Sequence, residues 1–189
     1  MTMPAAELGE REAFVDLYET APEELGARVE RIGGAACFAL TAVPRSAMFN
    51  RALGLGLERA ASRPEVDEIA GFFGELGAEW CAAVAPQAEP AELVPWLGEL
   101  GFEPGYGWAK FRRGVGEAAA STSELRVERA GEREGRVFAD VFIRGYGLPP
   151  LMLDWLARLP SRHGWHCFVA YDGEAPAATG AIYVSDGLG

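Results

Sequence analysis

The sequence is short of amines, imidazoles and thiols, and each shortage closes a route to function. Of its 17 basic residues only Lys110 is a lysine, and the formal net charge is −11. A chain so acidic lacks the basic face that phosphate-driven binding to nucleic acid or anionic lipid requires. An anionic ligand would have to be held by local N–H groups or a few arginines. There are two histidines, His163 and His166. With Cys167 they spell H-x-x-H-C, but residues 165–171 read as a strand, which sends neighbouring side chains to opposite faces. No second Cys/His cluster completes a tetrahedral site, so no metal is expected. A nucleophilic triad is equally poorly served, because no G-x-S-x-G elbow is present. The three cysteines, Cys37, Cys81 and Cys167, lie far apart in apolar segments and read as reduced core residues. No apolar run approaches the roughly 18 residues of a membrane span, and the opening MTMPAAELGEREAF lacks the order of a signal peptide. A cytoplasmic location is the expectation.

What is present is an ordinary globular composition, 49% hydrophobic and 24% charged, over 189 residues, enough for one large domain or two small ones. The pattern along the chain predicts helix over 6–31, broken at Pro22 and stopped by Gly33-Gly34. Short strands are predicted at 36–43 and 47–55, with Pro44-Arg45-Ser46 as the turn between them. Residues 62–77 carry the marks of a helix: Ser62 as cap, Pro64 in the first turn, Glu65, Asp67 and Glu68 near the start, and Val66, Ile69, Phe72, Phe73 and Leu76 on one stripe. Strand 78–86, helix 90–102 and strand 106–113 follow. The tetrapeptide Gly-Glu-Leu-Gly closes both of these helices, at 74–77 and 98–101, as ordinary glycine caps would. Residues 114–124 are small, polar and patternless, the natural linker. Beyond them the pattern predicts strand 125–130, helix 131–147, a short helix within 148–161, and strands 165–171 and 176–184 flanking the turn signal Asp172-Gly173. A second turn signal, SDGLG (185–189), follows, after which a third strand is expected. The fold class is α/β, in the sense of a mixed α+β sheet.

Two stretches carry a resemblance. The order strand, helix, helix, strand, hairpin in 125–184, with the YDGE turn in VAYDGEAPAATGAIYV, resembles the first half of a GNAT-superfamily N-acetyltransferase domain. GFEPGYGWAKFRR (101–113) is similar to the last helix-to-strand step of the same fold. The resemblance implies a tandem arrangement: a degenerate GNAT-like domain over 1–113, the linker 114–124, and the N-terminal portion of a second such domain over 125–189. It implies transfer of acetyl from acetyl-CoA to a small-molecule or peptide amine by direct attack on the thioester. Neither the base nor the acid is singled out by spacing. In the family a Gln/Arg-x-x-Gly-x-Gly/Ala loop leads straight into a helix whose N–H groups bind the cofactor pyrophosphate. Residues 125–189 stop before such a loop, so the second domain, as far as this sequence runs, is expected to lack a family-type cofactor site.

The spelling R-x-x-G-x-G does occur once in the right place, in FNRALGLG (49–56), at Arg51, Gly54 and Gly56. A chain with 24 glycines produces about one such match by accident, and two readings stand. As a phosphate loop, the glycines would let the backbone approach an anion at the start of a helix. As a strand end with a glycine-rich turn, the stretch needs no ligand. A helix starting at Gly56 would hold Pro64 in its interior at a cost of about 3 kcal/mol, so Ser62 is the better start, which favours the second reading. The resemblance places GYGLPP (145–150) against the acceptor cleft, which makes Tyr146, Gly147 and Leu148 the substrate-side candidates, although a tyrosine in a turn is commonly packing. The alternative function is a non-catalytic α/β binding or scaffolding module. The last hairpin of 125–189 otherwise leaves an unpaired apolar edge, which the sheet of 1–113 or that of another copy would complete; the second case predicts a homo-oligomer.

Overall fold

The computed structural model describes residues 4–111, 114, 116–117 and 123–185. The chain is a mixed α/β protein that divides into two compact units, Met1–Phe111 and Arg112–Gly189.

In the first unit, helix α1 (Pro4–Tyr18) leads through a single 3-10 turn (Glu23–Leu25) into strands β1 (Ala27–Ile32) and β2 (Ala35–Leu40). The helix expected over 6–31 therefore ends early, and 27–32 is strand. Gly26, left-handed at φ 58°, closes the 3-10 turn. The Gly33-Gly34 pair, expected to stop a helix, is instead the two-residue turn of an antiparallel hairpin in which Ile32 faces Ala35. Gly33 takes φ +60°, as tight hairpin turns demand. Ala-Arg-Val-Glu-Arg suits a helix locally, and pairing with the buried β2 overrides that preference.

Strand β3 (Arg51–Leu53) runs antiparallel to β2, and β4 (Cys81–Ala82) runs parallel to β3. Both are much shorter than the expected 47–55 and 78–86. Residues 47–50 turn instead, because Asn50 is wholly buried and clamps the loop. Its Oδ1 accepts from the Leu40 N–H at 2.8 Å and its Nδ2 donates to the Val43 carbonyl at 3.0 Å. Helix α2 (Arg63–Glu75) makes the crossover between the two parallel strands, as parallel pairing requires. Helix α3 (Leu93–Glu99) follows β4, shorter than the expected 90–102. The strand expected at 106–113 is not formed over 102–111, which has no regular structure; Arg112 and Arg113 lie outside the described residues.

Strand β2 is buried along its whole length, which identifies it as the middle layer. Phe38 meets Phe14 and Tyr18 of α1, with ring centroids 5.5 and 5.1 Å away. Cys37 and Ala39, on the opposite face, join Val66, Ile69 and Phe73 of α2 in one core.

The second unit is an antiparallel sheet in the order β5 (Arg126–Ala130), β6 (Trp165–Asp172), β7 (Ala175–Tyr183), with helix α4 (Gly135–Tyr146) after β5. The expected second helix is fragmented into 3-10 turns at Pro150–Met152 and Leu159–Ser161 around α5 (Leu153–Leu156). Phe138, Ala139, Met152, Trp155 and Leu156 are buried, as are Ala130, Cys167 and Val169 of the sheet. The hairpin falls where expected, with Asp172 facing Ala175 across Gly173-Glu174. The linker expected at 114–124 lies largely outside the described residues, as does the turn at 186–187. Among the described residues no helix is long and apolar enough to cross a membrane.

Candidate functional site

The passage from β3 to α2 contains the R-x-x-G-x-G spelling, and strand parity decides where its arginine goes. Arg51 pairs with Phe38 across the sheet, so it shares the α1 face, while Ala52 joins the core on the α2 face. Arg51 is 6% exposed, and its guanidinium sits 5.4 Å from the Phe14 ring centroid and 5.6 Å from that of Trp108. Its Nη1 donates to Glu10 at 3.2 Å. Glu10 also accepts from the Lys110 ammonium, which Glu7 shares. Arg51 therefore sits in a charge-balanced cluster on the opposite side of the sheet from α2. Its Nε is buried without a hydrogen-bond partner.

The glycines do take the left-handed backbone that the spelling calls for, Gly54 at φ +88° and Gly56 at φ +74°. What each approaches is protein. A Cβ on Gly54 would lie 3.2 Å from the Arg11 side chain and 3.2 Å from the Gly34 carbonyl. A Cβ on Gly56 would stand 2.5 Å from the Glu89 carbonyl oxygen. The Glu89 N–H donates to the Gly56 carbonyl at 2.8 Å, and the Ala61 N–H donates to the Glu89 carbonyl at 2.7 Å.

Helix α2 begins after Ser62, as its sequence predicts. The Ser62 N–H and hydroxyl both donate to Glu65, at 2.7 and 2.9 Å, so a carboxylate of the protein faces the positive end of the helix dipole. The neighbouring Arg59 pairs with Glu65 and holds its carboxyl below the usual range. Arg11, which the sequence does not mark, is the arginine beside the loop. It donates to the Gly34 carbonyl at 3.1 Å and to Glu58 at 2.6 Å, lowering the Glu58 carboxyl.

Beyond the carboxyl end of β4 lies a cleft of about 810 Å³, lined by Ala60 and by residues from Val84 to Val94. The carboxyl ends of parallel strands are where open α/β sheets generally take ligands. Sequence periodicity gives no sign of this cleft, because most of its wall comes from the irregular stretch 83–92.

In the second unit Gly147 is the left-handed cap of α4 at φ 64°, donating its N–H to the Ile143 carbonyl. The Leu148 N–H reaches the same carbonyl at 2.9 Å. Tyr146 is 53% exposed, its ring 4.8 Å from that of Phe142. These three substrate-side candidates thus form one helix-terminal turn. His163, His166 and Cys167 do not converge with other ligands; among the described residues no group of three His, Cys, Asp or Glu side chains could hold a metal. Compared with known proteins, the chain matches no family model, no curated protein and no solved structure.

Proposed function

We propose that this chain is an acetyl-CoA-dependent N-acetyltransferase polypeptide of the GNAT type, transferring acetyl from the thioester to an amine, with a first unit that serves as a non-catalytic module. The acetyl-transfer half of the reading is supported by the passage of β3 through a Gly-x-Gly turn and α2 to the parallel β4, together with the strand–helix–hairpin order of the second unit. In such chemistry an amine attacks the thioester carbonyl, a base takes its proton and an acid protonates the departing thiolate.

The module half is carried by one observation. Arg51 is on the α1 face, held by Glu10 and two rings, so its charge is used within the unit. Glu65 at the helix start and the Glu89 carbonyl on Ala61 N–H answer the donors that a phosphate would seek.

The test is calorimetric titration of the 189-residue chain with acetyl-CoA, paired with hydrogen exchange over residues 51–62 and an assay of acetyl transfer to a panel of amines. Binding or transfer with exchange at 51–62 unchanged is the expected result, which puts the cofactor against residues other than the family's loop. Protection of 51–62 by acetyl-CoA would make the first unit a cofactor holder and overturn the module reading. Neither binding nor transfer would overturn the acetyltransferase reading.

A further inference from the structure

We infer that the cleft beyond β4 is a binding site for a primary ammonium carried on a small apolar body. Its volume of about 810 Å³ lies in the range of small-molecule sites. Its walls are largely apolar: Val84, Ala85, Pro86, Ala88, Leu93 and Val94 are among the residues that line it. No lysine or arginine lines it, and the single ionisable residue in its wall is Glu89.

The polar groups in that wall ask for a donor. The Gln87 Oε1 is buried and makes no hydrogen bond, a deficit that a turn of the amide toward a ligand N–H would relieve. The Glu89 side chain is exposed and forms no ion pair among the described residues, so its charge is open to a ligand from solvent. Its main chain, meanwhile, is fixed on both sides by Gly56 and Ala61, so the carboxylate is presented from a held backbone. One carboxylate, one unsatisfied amide oxygen and no cationic side chain beside an apolar wall favour a cation with N–H groups over carboxylates and phosphates. The site stands apart from the acetyl-transfer reading, since it requires neither acetyl-CoA nor the second unit.

The experiment uses phenethylammonium as the probe, followed by heteronuclear NMR of the full chain, with phenylacetate and 2-phenylethanol as matched controls. The expected result is saturable shifts confined to residues 84–94 and Ala60 with the ammonium and none with phenylacetate. Glu89→Gln should weaken the ammonium about fivefold, and Gln87→Leu should weaken it further while circular dichroism shows both variants folded. Glu89→Gln keeps the main-chain bonds to Gly56 and Ala61, so loss of binding there reports the charge. Equal response to the alcohol or phenylacetate, an unchanged affinity in Glu89→Gln, or no saturable shift up to about 20 mM, roughly the weak limit of single-contact binding, would each overturn the inference.

Discussion

Gly56 and Glu89 hold each other through the main chain: the Glu89 N–H donates to the Gly56 carbonyl at 2.8 Å, and the Glu89 carbonyl lies where a Gly56 side chain would begin. Gly56→Ala therefore meets two penalties, a left-handed backbone costing about 1–2 kcal/mol and a collision with main chain that cannot swing aside. The expected loss is about 3 kcal/mol or more, read from urea unfolding. Gly77→Ala supplies the contrast, because Gly77 is also left-handed, at φ +61°, but has nothing within 4 Å. It should lose only about 1 kcal/mol.

Asn50 satisfies two buried main-chain groups at once, and Asn50→Ala leaves the Leu40 N–H and the Val43 carbonyl without it. A loss of about 2–4 kcal/mol is expected. Asn50→Asp should be nearly as costly, because a carboxylate can accept from Leu40 but cannot donate to Val43. Denaturant midpoints of the two variants check this.

The thiols should separate by burial. Cys37 and Cys167 are fully buried, and burial pushes both thiols up to about 12, while Cys81 is half-buried. An aromatic disulfide reagent at neutral pH should consume one thiol in the native chain and three after unfolding. Cys81→Ser should abolish the native reaction.

The same two thiols give a pH dependence. Their folded values lie above the ordinary value of 9, so the unfolded chain releases protons first as pH rises. Their contribution to stability is complete below about pH 9 and is lost between about 9 and 12. At the acid end, Glu58 and Glu65 are held below their ordinary value by Arg11 and Arg59. Their contribution is present above about pH 4.5 and disappears as pH falls through the lowered values. Urea midpoints against pH should therefore fall at both ends, and Cys37→Ala should flatten part of the alkaline limb.

How much of this was legible depended on whether the deciding partner is near in sequence. Helix α2 carries its own punctuation, Ser62 to Glu65, and the β6–β7 hairpin carries Asp172-Gly173; both lie where the pattern puts them. Strand β1 does not, because Arg28 to Arg31 suit a helix until β2 is there to pair with them. The shortness of β3 and β4 follows from the Asn50 clamp and from the irregular chain after Ala82, neither of which has a periodicity. At the candidate site the R-x-x-G-x-G spelling picks out Gly54 and Gly56, and both take positive φ. Their partners, Glu89 and Arg11, are separated from them by more than 30 residues and had no local signal.

Lys110 is the chain's one lysine, and its ammonium is gripped by Glu7 and Glu10. A protonated amine whose hydrogens are engaged has no lone pair to offer an acyl carbon. The chain therefore offers an acylating reagent one lysine side chain, and that one is engaged by two carboxylates.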